Sequence, residues 1–96
     1  MTITKAENGD TITLSLEGWL DTQAAAEFQK EIDCIDENIK SMVIDMEKLQ
    51  YVSSAGVRQL VAIHKKMNGQ LVIKNASDEL MDIFNITGMS RMMKFE

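Results

Sequence analysis

Asp45-Met46-Glu47-Lys48-Leu49-Gln50-Tyr51-Val52-Ser53-Ser54-Ala55-Gly56-Val57 is the stretch around which this chain is organised. Ahead of it, Met42-Val43-Ile44 is a compact β-favouring run that ends in an acid. Behind it, Val57, Leu60, Val61, His64 and Met67 recur at helical spacing. The small residues Ser53 to Gly56 therefore mark a turn into a helix. A serine hydroxyl there caps the helix by accepting from an amide that the first turn leaves unpaired.

Working outward, Thr2 to Ala6 and Thr11 to Glu17 alternate β-branched and polar residues on either side of Glu7-Asn8-Gly9-Asp10, which predicts a hairpin. Ile12, Leu14 and Leu16 share one face of its second strand; Thr11, Thr13, Ser15 and Glu17 share the other. Asp21 is the expected N-cap of a first helix striped by Phe28, Ile32, Ile35 and Ile39. Met42 to Met46 reads as a short strand, apolar on both sides and so central. The second helix stops at Lys65-Lys66-Met67-Asn68-Gly69, where cations suit the negative end of the dipole and Gly69 permits a left-handed cap. Gln70 to Lys74 is a further strand. Ser77-Asp78-Glu79 opens a third helix with Leu80, Met81, Ile83 and Phe84 inward; Gly88 closes it, and Met89 to Phe95 adds a last edge strand.

The order is β-β-α-β-α-β-α with a final β. Right-handed crossovers that advance in one direction put every helix on one sheet face. The expected fold is a single α/β domain over residues 1–96: a single-layer mixed sheet of four to five strands with three helices packed on one face. Its other face should be partly polar and threonine-rich. The core is expected to hold Phe28, Ile32, Ile44, Val57, Leu60, Val61, Val72 and Phe84.

Composition narrows the function. Apolar residues at 45% and charged residues at 26% are values of an ordinary folded domain. A net charge of -5 offers no basic field for a phosphate backbone, so nucleic acid is a poor partner. The lone Cys34 forms no internal disulfide and supplies no metal-ligand spacing, which points to a reducing, cytoplasmic setting. Neither a signal peptide nor an apolar run of the ~20 residues that a span needs is expected.

Enzymatic readings fare badly. A Ser54/His64/Asp45 triad can be written, but ten residues on one helix separate Ser54 from His64 by about 15 Å. His64 instead reads as a half-buried boundary residue, Cys34 as a small helix residue beside the stripe, and the methionines as core filler. Trp19, after a glycine at a strand end, is expected to lid the core, with contact to a partner as the alternative. No catalytic residue, cofactor or metal is expected.

The stretch from Asp45 to Val57 resembles the signature of STAS domains, the family of bacterial anti-sigma factor antagonists and sulfate-transporter cytoplasmic domains. In that family an acid-ended strand leads through a turn to Asp-Ser-Ser-Gly at the start of the second helix; here the matching text is Ser53-Ser54-Ala55-Gly56. Gly18-Trp19-Leu20-Asp21 is similar to the family's Gly-x-Leu-Asp, and Ile86-Thr87-Gly88-Met89 to its late Thr-Gly-Leu segment.

The resemblance implies a cytoplasmic interaction module that binds a kinase-like anti-sigma factor and releases a sigma factor. Its partner-binding and regulatory loop would comprise Asp21, Asp45, Ser53, Ser54, Ala55 and Gly56, with the four turn residues accessible. The alternative is a non-catalytic STAS subunit of a sensory or membrane-transport assembly. The family's phosphorylated serine is replaced by Ala55, which has no hydroxyl to esterify, and its aspartate by Ser53. Ser54 remains as candidate phosphoacceptor. With its oxygen engaged in capping, the chain is expected to bind constitutively or to answer another signal.

Overall fold

The computed structural model describes residues 1–96, with five strands in the order β1-β2-β3-β4-β5. β1 (Thr2–Asn8) runs antiparallel to β2 (Thr11–Leu20), and Asn8 stands opposite Thr11. Gly9 and Asp10 alone make this turn, Gly9 at the positive φ of 64° that tight hairpins favour. β3 (Ser41–Val52), β4 (Leu71–Lys74) and β5 (Lys94–Phe95) continue the sheet in parallel. The crossovers carry α1 (Thr22–Asp33), α2 (Ser54–Lys66), α3 (Asp78–Thr87) and a short α4 (Met89–Met92).

This is the mixed sheet that the sequence predicts, with five strands and β3 at its centre. The segment expected to be all strand after Gly88 differs. Gly88 takes a φ of 82°, Met89–Met92 coils into α4, and only Lys94–Phe95 pairs with β4.

Alternation builds the core. Ile12, Leu14 and Leu16 of β2, Met42, Ile44 and Met46 of β3, and Leu71 and Ile73 of β4 all point to one face. They meet Phe28 and Ile32 of α1, Leu60 and Ile63 of α2, and Leu80 and Phe84 of α3 in a single cluster. Val72 is not in it: lying between Leu71 and Ile73, it takes the opposite face and is only half-buried. Val61 packs at the margin of the cluster, half-buried. Ile35 and Ile39 fall beyond the end of α1, whose C-cap is the exposed Cys34. The face without helices carries the expected hydroxyls, and Thr11 Oγ1 and Ser41 Oγ share a hydrogen bond of 2.8 Å across it.

β3 departs most from the sequence reading. It does not stop near Met46 but runs 12 residues to Val52. Its register against β2 slips between Ser15 and Glu17 and again between Gly18 and Trp19, each time placing one extra β3 residue opposite β2. The buried positions consequently step from Met46 to Leu49 to Val52, a spacing of three that hides the strand from a period-two search.

Candidate functional site

The ends of β2 and β3 lie side by side. Leu20 pairs with Val52, and the Ser53 amide donates to the Leu20 carbonyl at 2.9 Å. Each strand then hands over to a helix through a cap. The Asp21 carboxylate accepts from the Ala24 amide at 2.8 Å to open α1, and Ser53 Oγ accepts from the Gly56 amide at 3.1 Å to open α2. Asp21 and the serine turn thus share one end of the sheet, as expected.

Within the turn the residues divide. Ser53 is the cap, not Ser54. Ser54 is the first helical residue and stands exposed, and no side-chain hydrogen bond engages its hydroxyl. Ala55 is half-buried. Gly56, expected to be accessible, is buried: a Cβ there would meet Leu20 Cγ and Val52 Cγ2 at 2.8 Å and the Leu20 oxygen at 3.0 Å. Its place in the motif is explained by the close approach of α2 to β2 and β3.

Asp45 does not join this turn. The bulges let β3 keep pairing past it, so it sits mid-strand opposite Ser15 and Lys74, eight residues before Ser53 and at most about 26 Å along the strand at ~3.3 Å per residue. Its carboxylate accepts from the Glu47 amide at 3.0 Å and from Asn75 Nδ2 at 3.1 Å. That arrangement holds the first bulge and the turn after β4, where Asn75 has a φ of 60°.

The helix termini set the local field. α2 carries no acid in its first turn, while His64, Lys65 and Lys66 occupy its last. An anion at Ser54 therefore meets the positive end of the α2 dipole with no carboxylate of its own helix opposing it. His64 lies at the other end of that helix, which removes the written triad.

Trp19 does not cover the core; it is 60% exposed, and Tyr51, its register partner on β3, is 48% exposed. Tyr51 escaped the sequence reading because it lies past the second bulge. Its neighbour Val52 is buried, however, and an aromatic beside a buried strand residue faces away from that residue's side.

The STAS domain family model matches residues 2–96. BtrV of Bordetella bronchiseptica, assigned by name to the anti-sigma factor antagonists, is 27% identical over 77 residues. The match covers 76% of this chain and 66% of BtrV, just under two thirds of that protein's length. Among solved structures, a Thermotoga maritima protein assigned to the same kind superposes with a TM-score of 0.88 at 14% identity, covering 97% of this chain and 84% of its own. The anti-sigma factor antagonist SpoIIAA in its unphosphorylated form gives a TM-score of 0.82 at 17% identity, covering 99% and 88%. No helix is long and apolar enough to cross a membrane.

Proposed function

Because the chain belongs to the STAS domain family, we propose that it is a non-catalytic cytoplasmic interaction module of the anti-sigma factor antagonist kind, which captures a kinase-like anti-sigma factor and so frees a sigma factor. The binding surface is the end of the sheet where Asp21, Ser53, Ser54 and Ala55 gather. Gly56 supports it from beneath, and Asp45 lies outside it.

The observation that carries this reading is the division of labour between the serines. Ser53 fixes the helix start through its own oxygen, which leaves the Ser54 hydroxyl free at an exposed N-terminus. The capping that was expected to occupy Ser54 is done by its neighbour. Ser54 is thus the phosphoacceptor that the reading requires in place of Ala55.

A phosphate there adds nearly two negative charges, which α2 tolerates at its positive end and a docked partner surface does not. Binding is lost while the fold persists.

The test is titration calorimetry with a cognate kinase-fold anti-sigma factor, sought among the genes beside this one. Wild type should bind, and Ala55→Glu should abolish binding with an unchanged circular dichroism spectrum. Unchanged affinity in the folded variant removes this surface. Failure of wild type to bind any neighbouring kinase-fold protein, with co-purification of sensory or transport subunits instead, turns the reading to the scaffold.

A further inference from the structure

We propose that Trp19 and Tyr51 form an aromatic seat for arginine side chains of the protein partner. They are register partners on adjacent parallel strands, so both side chains leave the sheet on the side away from Leu20 and Val52, at the end where α1 and α3 begin. Each directly precedes a buried residue, Leu20 or Val52, that anchors its backbone in the core. The two largest rings outside the core are therefore held in place and exposed.

The charge around Trp19 selects the occupant. The Trp19 ring lies between two shallow depressions, one lined by Glu17, Asp21 and Glu27, the other by Asp78 and Glu79. No lysine or arginine lines either. Met1, which carries the amino terminus, also lines the first depression, one cation against three carboxylates. Lys48 stands opposite Glu17 and lines a separate hollow with Thr4 and Ser15.

A guanidinium suits this setting better than an ammonium. It is planar and weakly hydrated, lies flat on an indole or phenol face, and still donates its N–H groups to carboxylates at the ring edge. An aliphatic segment would gain from the rings but would leave the surrounding acids without partners. A second copy of this chain is a poor occupant, because a two-fold contact through this face would set its carboxylates against themselves.

The inference deepens the partner-binding reading and rests on it for the place of the seat, since Asp21 and Ser53 directly follow Leu20 and Val52. Its test needs no anti-sigma factor, so the two fail separately.

The probe is a blocked peptide, acetyl-Ala-Arg-Ala-Arg-Ala-amide, with lysine and citrulline analogues, titrated into the 15N-labelled full chain. The indole N–H of Trp19, the only tryptophan, reports the seat directly. The arginine peptide should shift the Trp19 indole and the Tyr51 amide, the lysine peptide should bind more weakly, and the uncharged citrulline peptide should shift neither. Tyr51→Ala and Trp19→Ala should each weaken the arginine peptide by about two- to fivefold, and Trp19→Phe should restore much of the loss.

Both side chains are exposed, so these variants keep the core. Equal affinity in both alanine variants would mean that the acids alone attract the peptide and would overturn the seat. Equal binding of the arginine and lysine peptides would overturn its choice of guanidinium. Shifts of these signals with protein concentration alone would assign the face to a second copy instead.

Discussion

Gly56 of α2 lies against Leu20 of β2 so closely that an added Cβ would come within 2.8 Å of the Leu20 side chain and 3.0 Å of its carbonyl oxygen. That oxygen already accepts from the Ser53 amide, so it is not free to move aside. Gly56→Ala gains up to about 1 kcal/mol of helix propensity, but overpacking costs about 1–3 kcal/mol. The variant should be the less stable by urea denaturation, and it should displace the start of α2. A stabilised Gly56→Ala would show that the strand ends yield.

The neighbouring serines should separate in stability. Ser53→Ala removes the N-cap bond to Gly56 and should cost about 1 kcal/mol. Ser54→Ala removes an exposed hydroxyl that holds nothing and should stay within about 0.5 kcal/mol of wild type. Denaturation midpoints of the two variants check this. The reverse order would make Ser54 the cap and return its oxygen to the backbone.

What the sequence made legible follows physical periods. The hairpin, the caps Asp21 and Ser77, and the stop at Gly88 were readable because turn chemistry and capping act within a few residues. The helix-facing side of β2 was readable because alternation there is unbroken. The second half of β3 was not, because two bulges replace alternation with a step of three and bring charged Glu47 and Lys48 into a strand. Asp45 consequently looked like a strand end, Trp19 like a core lid, and Tyr51 like nothing at all. Which of two adjacent serines caps is likewise a one-residue question that either hydroxyl answers equally well on paper.

Lys5 on β1 reaches across to Glu31 on α1, and the hydrogen bond and charge of that carboxylate hold its ammonium above the ordinary value of 10.5. A pKa raised by folding contributes stability that is complete below the unfolded value and is lost as pH climbs through the folded one. Both groups are exposed, so the contribution is small. In Glu31→Gln, the NMR titration of the Lys5 side chain should move down toward 10.5, and stability should fall less steeply than in wild type above that pH. A titration that does not move would assign the shift to another neighbour.

Phosphorylation should fall on Ser54 and nowhere else in the turn. Ala55 has no hydroxyl, so no phosphoester forms there whatever the loop does. Ser53 has one, but its oxygen accepts from the Gly56 amide at 3.1 Å, and esterifying it would cost the α2 cap. Ser54 has a free, exposed oxygen on the first residue of a helix whose opening turn holds no acid, where the added charge is stabilised by the unpaired amides. Incubation with a cognate kinase-fold anti-sigma factor and ATP, followed by site-resolved mass spectrometry, should find one phosphate, on Ser54. The phosphorylated chain should bind that partner at least about tenfold more weakly, a difference of ~1.4 kcal/mol. Ser54→Ala should bind without ever being switched off. Should wild type take no phosphate while Ala55→Ser takes one, the partner is a kinase that reaches only the following residue, and the natural chain is a constitutive binder.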